Sequence, residues 1–175
     1  NTVIVFISDH GEWMGDHGLL LKGPMLYDGL LRVPCLICGP GVPEGRVIDA
    51  PVGTVDIRKT LADLIGLEAE EDNGTSWMGL INGTETREFA LSEFEVDAKR
   101  SAVDLDLRTV RSDRYRMSVD LNTDTGELYD MQEDPDEMVN LFDDPGAAKV
   151  RRAHMDMIRA RADDQIPRAP RVGWH

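Results

Sequence analysis

Ser8-Asp9-His10-Gly11 stands directly behind a β-branched apolar run, Val3 to Ile7. In open α/β sheets ligands gather at the carboxyl ends of buried strands, so a carboxylate and an imidazole presented there are placed to hold a cation. An Asp-His pair by itself serves equally well as a cap or turn, and both readings stay open. Cys35 and Cys38 have the spacing of a zinc half-site or redox pair, but Val33-Pro34-Cys35-Leu36-Ile37-Cys38 reads as a strand. Positions three apart on a strand are roughly 10 Å apart and face opposite sides, beyond disulfide reach. The expectation is two small buried hydrophobes. Asp120-x-Asn122-x-Asp124 imitates the start of a calcium loop, yet Gly126 comes one position late and Met131 stands where the closing Glu belongs, so it reads as a hairpin turn. Asn73-Gly74-Thr75 and Asn82-Gly83-Thr84 match glycosylation sequons, and Asn-Gly turns explain both.

The elements that must position Asp9 and His10 follow from periodicity. Val3 to Ile7 is a continuous apolar run, as expected of a strand covered on both faces. A glycine-punctuated loop follows, then a second strand at Val33 to Cys38, closed by Gly39-Pro40-Gly41. Apolar residues at Ile57, Leu61, Leu64 and Ile65 predict an amphipathic helix over Thr54 to Leu67 with Gly66 at its end. Glu68 to Gly83 is acidic and turn-rich and reads as a connection. Beyond Arg87 short alternating strands are expected at Phe89 to Glu93, Leu107 to Arg111 and Arg114 to Val119. In the last of these Tyr115, Met117 and Val119 share one face and charged residues the other. Asp144-Pro145 reads as an N-cap with Pro in the first turn of a final helix, whose stripe is Ala147, Val150, His154, Met157 and Ile158. Its arginines, Arg151, Arg152, Arg159 and Arg161, read as a solvated face, and the tail from Gln165 as extended chain. The division expected is an α/β part over residues 1–85 and a small antiparallel sheet with a helix over 86–175.

Composition restricts the partners. The 175 residues carry 33 acidic and 19 basic side chains, a net charge of −14. With no cluster of Lys or Arg, neither a nucleic-acid backbone nor an anionic membrane surface is an expected partner. The apolar runs fall far short of the roughly 20 residues needed to cross a bilayer, and a soluble chain is expected, its compartment unknown. Only four of the 19 cations are lysines, a bias consistent with a salt-adapted or high-GC microbial source. A strand at the first residues needs flanking strands, and no targeting segment precedes it, so the expectation is a piece of a longer protein.

The run Ser8-Asp9-His10-Gly11-Glu12-Trp13-Met14-Gly15-Asp16-His17-Gly18-Leu19-Leu20-Leu21-Lys22-Gly23-Pro24, followed by Tyr27-Asp28 and Leu31-Arg32-Val33-Pro34, resembles the later region of the type I sulfatases, members of the alkaline phosphatase superfamily. The likeness continues through Asp56-Ile57-Arg58-Lys59-Thr60-Leu61-Ala62-Asp63-Leu64-Ile65-Gly66, Asn73-Gly74-Thr75-Ser76, Glu127-Leu128-Tyr129-Asp130, Asp134-Pro135-Asp136-Glu137 and Asn140-Leu141. Asp28-Gly29 and Arg58-Lys59 depart from the usual family residues without removing a ligand. The resemblance implies a C-terminal portion of an alkaline-phosphatase-like mixed α/β sheet with flanking helices, plus a small antiparallel sheet. It implies that Asp9 and His10 contribute to a divalent metal shell, most often calcium, with His10 either ligating or donating to the sulfuryl group. It further implies that Lys22 contacts and stabilises the sulfate oxygens, that His17 has a supporting or packing role, and that Gly11 permits the loop path. The family's C/S-x-P/A-x-R motif, whose Cys or Ser becomes formylglycine, does not occur in this chain. The nucleophile and further metal ligands are therefore expected in an N-terminal part of the same protein, and the 175 residues alone are expected to be inactive. The implied substrate is a small-molecule or carbohydrate sulfate ester. A phosphodiester or phosphonate monoester hydrolase of the same superfamily and a non-catalytic binding domain are the alternatives, and exposed sheet surface is expected to favour homo-oligomers.

Overall fold

The computed structural model describes residues 1–68, 73–98 and 103–160. The tail from Gln165 and Arg161 lie outside the described residues. Strands β1 (Ile4–Ile7) and β2 (Cys35–Cys38) form an antiparallel pair with Ile4 opposite Cys38 and Phe6 opposite Leu36. Between them lie a 3₁₀ turn at Asp16–Gly18 and the short helix α1 (Asp28–Leu31). A 3₁₀ turn at Thr54–Asp56 leads into α2 (Ile57–Ile65), which stops at Gly66 in the left-handed conformation, and α3 (Met78–Asn82) follows. Strands β3 (Phe89–Val96), β4 (Leu105–Ser112), β5 (Tyr115–Asp120) and β6 (Thr125–Asp130) then make an antiparallel meander, before α4 (Ala148–Arg159). Asp144 caps the 3₁₀ turn ahead of α4, its side chain accepting from the Gly146 N–H at 2.7 Å, with Pro145 in the first turn as expected.

The meander is buried on both faces. Val110, Met117, Val119 and Leu128 point one way, onto Phe142, Ala147 and Ile158, and burying each of these side chains contributes about 1.5–3 kcal/mol. Their neighbours on the same strands point the other way. The sequence pattern suggested a solvated charged face there, but Arg116 is 0% exposed and Thr109, Ser118 and Asp120 are also buried. Residues 13–31 cover that face: Tyr129 and Phe94 pack with Trp13, Leu26, Tyr27 and Leu30. Arg116 is tolerated because its charge is met by Glu137 and by Glu127 at 3.4 Å, while its guanidinium lies over the rings of Tyr27 and Tyr129.

Two expectations about the first strands are corrected. Only the inner face of the β1–β2 pair is covered, Ile7 and Ile37 packing on the cluster of Trp77, Leu80 and Ile81. Ile4, Phe6 and Leu36 are 59%, 61% and 65% exposed. Cys35 and Cys38 are free thiols and exposed rather than buried: Cys38, opposite Ile4, lies on the outer face, which has no second layer, and Cys35, opposite Ile7 at the start of β2, opens onto a cleft. The connection after α2 also contains a helix, α3, which the turn-rich composition concealed.

The segments 53–68 and 73–77 are tied together by Asp56, buried at 4% exposure. Its carboxylate accepts from the N–H of Thr75 at 2.8 Å, the Trp77 indole at 3.0 Å, the Gly53 N–H at 3.1 Å and the Arg87 guanidinium. Thr60 donates to the Asp56 carbonyl at 2.9 Å and accepts from the Trp77 N–H at 2.9 Å. Burial pushes the Asp56 carboxyl up, but these hydrogen bonds outweigh it and hold the group below the ordinary carboxylate value.

Candidate functional site

β1 ends at Ile7, and the chain turns at once. Ser8 Oγ donates to the His10 carbonyl at 2.8 Å, and the His10 N–H donates to Asp9 Oδ1 at 3.0 Å, so the loop closes on itself and points both side chains outward. Asp9 Oδ2 lies 3.6 Å from His10 Nε2, and the Asp9 side chain is 86% exposed. The His10 N–H and the neighbouring imidazole hold the Asp9 carboxyl below its ordinary range, so it is an anion near neutrality. His10 Nδ1 lies 2.7 Å from the Gly11 carbonyl, and Lys22 Nζ lies 2.7 Å from His10 Nε2. A carbonyl only accepts and an ammonium only donates, so both contacts are satisfied by the neutral Nδ1–H imidazole with a lone pair at Nε2.

Lys22 reaches His10 because the chain between them is a tight excursion. Trp13 and Leu21 pair at 3.1 Å, and the buried Trp13 indole donates to the Met25 carbonyl at 3.0 Å. A Cβ on Gly23 would fall 2.6 Å from the Trp13 ring, which is why the residue after Lys22 carries no side chain. Gly11 is likewise obligatory: its N–H donates to the Leu30 carbonyl at 2.8 Å, and a Cβ there would lie 2.0 Å from the Gly29 oxygen. His17, in the left-handed region at φ 53, is turned onto Tyr27, with ring centroids 3.8 Å apart and nearly parallel.

Asp9, His10 and Lys22 open into a cleft of about 1130 Å³ between the first strands and the polar face of the meander. Asp28, Arg32 and Arg111 line the same cleft, and Arg111 Nε donates to Asp28 Oδ1 at 3.1 Å. None of the three is expected at the site from the sequence: Asp28 and Arg32 stand in stretches that carry the resemblance without an implied role, and Arg111 reads as one alternating position of a strand. The packing of residues 26–31 on the meander brings them together, and no local pattern encodes that. Asp120, with the Thr123 hydroxyl on its carboxylate at 2.7 Å and the Asn122 N–H at 3.2 Å, belongs to a hairpin turn, as expected.

The donor set suits a divalent cation. An anionic carboxylate oxygen and an imidazole lone pair 3.6 Å apart can serve as adjacent ligands to one ion. Among the described residues there is no group of three or more His, Cys, Asp or Glu that could hold a metal ion, and Asp9 and His10 are two such donors. No described helix is long and apolar enough to cross a membrane.

Residues 15–163 match the family described as N-sulphoglucosamine sulphohydrolase, C-terminal. Choline-sulfatase of Rhizobium meliloti is 33% identical over 171 residues, which cover 90% of this chain and 32% of that protein. Delta 4,5-hexuronate-2-O-sulfatase of Bacteroides thetaiotaomicron is 33% identical over 178 residues, covering 97% of this chain and 35% of that protein. The chain thus spans about a third of the length of the curated relatives it matches. The crystal structure of the phosphonate monoester hydrolase of Agrobacterium radiobacter superposes with a TM-score of 0.81 at 32% identity, over 94% of this chain and 36% of that one. The family match over residues 15–163, most of its length, means that the chain belongs to the sulfatase family, as its C-terminal region.

Proposed function

We propose that this chain is the C-terminal portion of a sulfuric ester hydrolase, and that Asp9, His10 and Lys22 are its contribution to the catalytic centre. The observation that carries the reading is the contact of Lys22 with His10, 2.7 Å, beside the Asp9 carboxylate at the end of a strand and the mouth of a cleft. Asp9 and His10 are the residues that would hold a divalent metal, with calcium as the expected ion. Such a metal polarises the ester oxygens and offsets the anion's charge. His10 is suited to ligation rather than donation, since its ring proton is engaged by Gly11 and Nε2 carries the lone pair. With Nε2 given to such an ion, Lys22, which lines the cleft, would have its ammonium free to donate to sulfate oxygens. There it stabilises the negative charge that grows on those oxygens during attack. In a chain of net charge −14, this local reversal of sign is what admits an anionic substrate.

The nucleophile, a formylglycine in the family's pattern, is proposed to come from an N-terminal part of the same protein, and residues 1–175 alone to lack turnover. Residues 1–85 are proposed to complete an α/β core and residues 86–175 to form the supporting subdomain. The substrate class is a small-molecule or carbohydrate sulfate ester, supported by relatives named for choline sulfate and for a sulfated hexuronate.

Hydrolysis of a phosphonate monoester is a second reading, favoured by the superposition on a hydrolase of that class. Steady-state rates of the native-length protein on 4-nitrophenyl sulfate and on 4-nitrophenyl phenylphosphonate separate the two. The sulfatase reading expects the larger kcat/KM on the sulfate, and a larger kcat/KM on the phosphonate would overturn it.

A further inference from the structure

We infer that Glu137 is a positioning residue for the His10–Lys22 pair, acting from the C-terminal meander through α1 without touching substrate; the inference rests on the sulfatase reading of that pair. Glu137 sits where a glutamate is least expected. It is 4% exposed, so its charge is withdrawn from water, and its backbone is in the left-handed region at φ 56, which a side chain with a Cβ rarely adopts. Two unfavourable features coincide at one residue only where the surrounding structure enforces them.

The enforcing structure is visible on both sides. Asp134 shapes the turn, its carboxylate accepting from the N–H of Met138 at 3.0 Å and of Val139 at 2.8 Å, while its carbonyl accepts from the Glu137 N–H at 3.1 Å. Glu137 Oε1 accepts from the buried Arg116 guanidinium. Charge neutralisation needs no more than that, yet the other oxygen does something different. Oε2 accepts from the backbone N–H of Asp28 at 2.8 Å, across 109 residues of sequence, and so pins the first residue of α1.

From α1 the path to the site is short and without slack. The Leu30 carbonyl accepts from the Gly11 N–H at 2.8 Å, and the Gly11 carbonyl takes the His10 Nδ1 proton at 2.7 Å. The backbones at Gly11 and Gly29 are so close that a single Cβ on Gly11 would lie 2.0 Å from the Gly29 oxygen, so any shift of α1 passes to the His10 loop. A helix of four residues cannot hold itself in register, because nucleation is unfavourable at that length. Its anchors are Glu137, from the turn after β6, on the Asp28 N–H and Arg111, from β4, on the Asp28 carboxylate. The C-terminal sheet thereby sets the height of His10, and with it of Lys22, above the cleft.

The test uses the native-length protein carrying Glu137→Gln, read by amide hydrogen exchange and by kinetics. Exchange at Gly11 is expected to quicken by about tenfold or more beyond any acceleration shared by the β5 amides, the shared part reporting the counter-charge that the buried Arg116 loses. A misplaced His10–Lys22 pair is expected to lower kcat on 4-nitrophenyl sulfate by roughly 10- to 100-fold with little change in KM. Should that variant not fold, Asp28→Pro deletes the same hydrogen bond from the other partner at a helix position that accepts proline, and Asp28→Asn serves as its control, because it keeps the N–H and alters only the Arg111 contact; Gly11 exchange is expected to quicken in the first and to change less in the second. Unchanged Gly11 exchange, or acceleration spread evenly over the meander, would overturn the inference and leave Glu137 a stabilising residue only. If the wild-type protein hydrolyses no sulfate ester, the functional reading fails, and the exchange result still decides whether Glu137 positions the loop.

Discussion

Replacing Asp56 by Asn tests how a single buried carboxylate organises the wall of the cleft. Oδ2 takes three donors, the Gly53 N–H, the Trp77 indole and the Arg87 guanidinium, whereas Oδ1 takes the Thr75 N–H. Asn offers one oxygen. Placed at the Oδ2 position it keeps three donors but turns its NH2 group onto the Thr75 N–H, and Arg87 loses its counter-charge. Breaking one side of such a buried charged pair costs about 3–5 kcal/mol, which is a large part of a typical domain's stability. The pH dependence supplies a second signature. The folded-state carboxyl lies below its ordinary value of 3.8, so its contribution is fully present above 3.8 and is lost as pH falls through the folded value. Urea unfolding followed by tryptophan fluorescence should therefore place the variant about 3–5 kcal/mol below wild type at pH 7, with the gap closing under acid conditions. A deficit under about 1 kcal/mol, or a gap that persists unchanged into acid, would refute the assignment of Asp56 as an ionised hub.

His154 gives a prediction in a different pH window. Burial pushes its pKa below the ordinary 6.5, against the pull of the Val150 carbonyl, so its stability contribution is present above 6.5 and lost as pH falls through the folded value. The unfolding midpoint should decline between neutral and mildly acidic pH, and His154→Gln should flatten that slope; parallel slopes would contradict it. The open outer face of β1 and β2 predicts self-association of the 175-residue chain expressed alone. Sedimentation velocity should show oligomers that Phe6→Glu combined with Leu36→Lys reduces to monomer, and a monomeric unmutated chain at high micromolar concentration would count against it.

Much of the architecture is legible in the sequence because it follows local rules. The apolar spacing at Ile57, Leu61, Leu64 and Ile65 and the terminal Gly66 delimit α2, and Asp144-Pro145 marks the start of the last helical segment. Alternation placed the strands of the meander, short by one to three residues at several ends. What local pattern could not convey is the second covering layer. Arg116 and Ser118 alternate with Met117 and Val119 as solvated residues would, and only the arrival of Tyr27 and Glu137 from distant segments makes their side a buried one. The same holds for Cys35 and Cys38, whose sequence is that of a core strand: Cys38 lies on the outer side of the ribbon, which carries no layer here, and Cys35 at the edge of the cleft. Among the site residues, Asp9, His10 and Lys22 were legible as a motif and lie together in space. The supporting set, Asp28, Arg111 and Glu137, was not, because it is joined by contacts between residues some hundred positions apart.

The most direct measurement is the kcat/KM of the native-length protein on 4-nitrophenyl sulfate, wild type against Lys22→Ala, with the metal content of both proteins determined in parallel. If Lys22 faces the developing anion while Asp9 and His10 hold the metal, kcat/KM should fall by about 10²- to 10³-fold with metal content unchanged. A loss of less than about threefold, with the metal retained, would show that the ammonium at His10 does not serve the reaction.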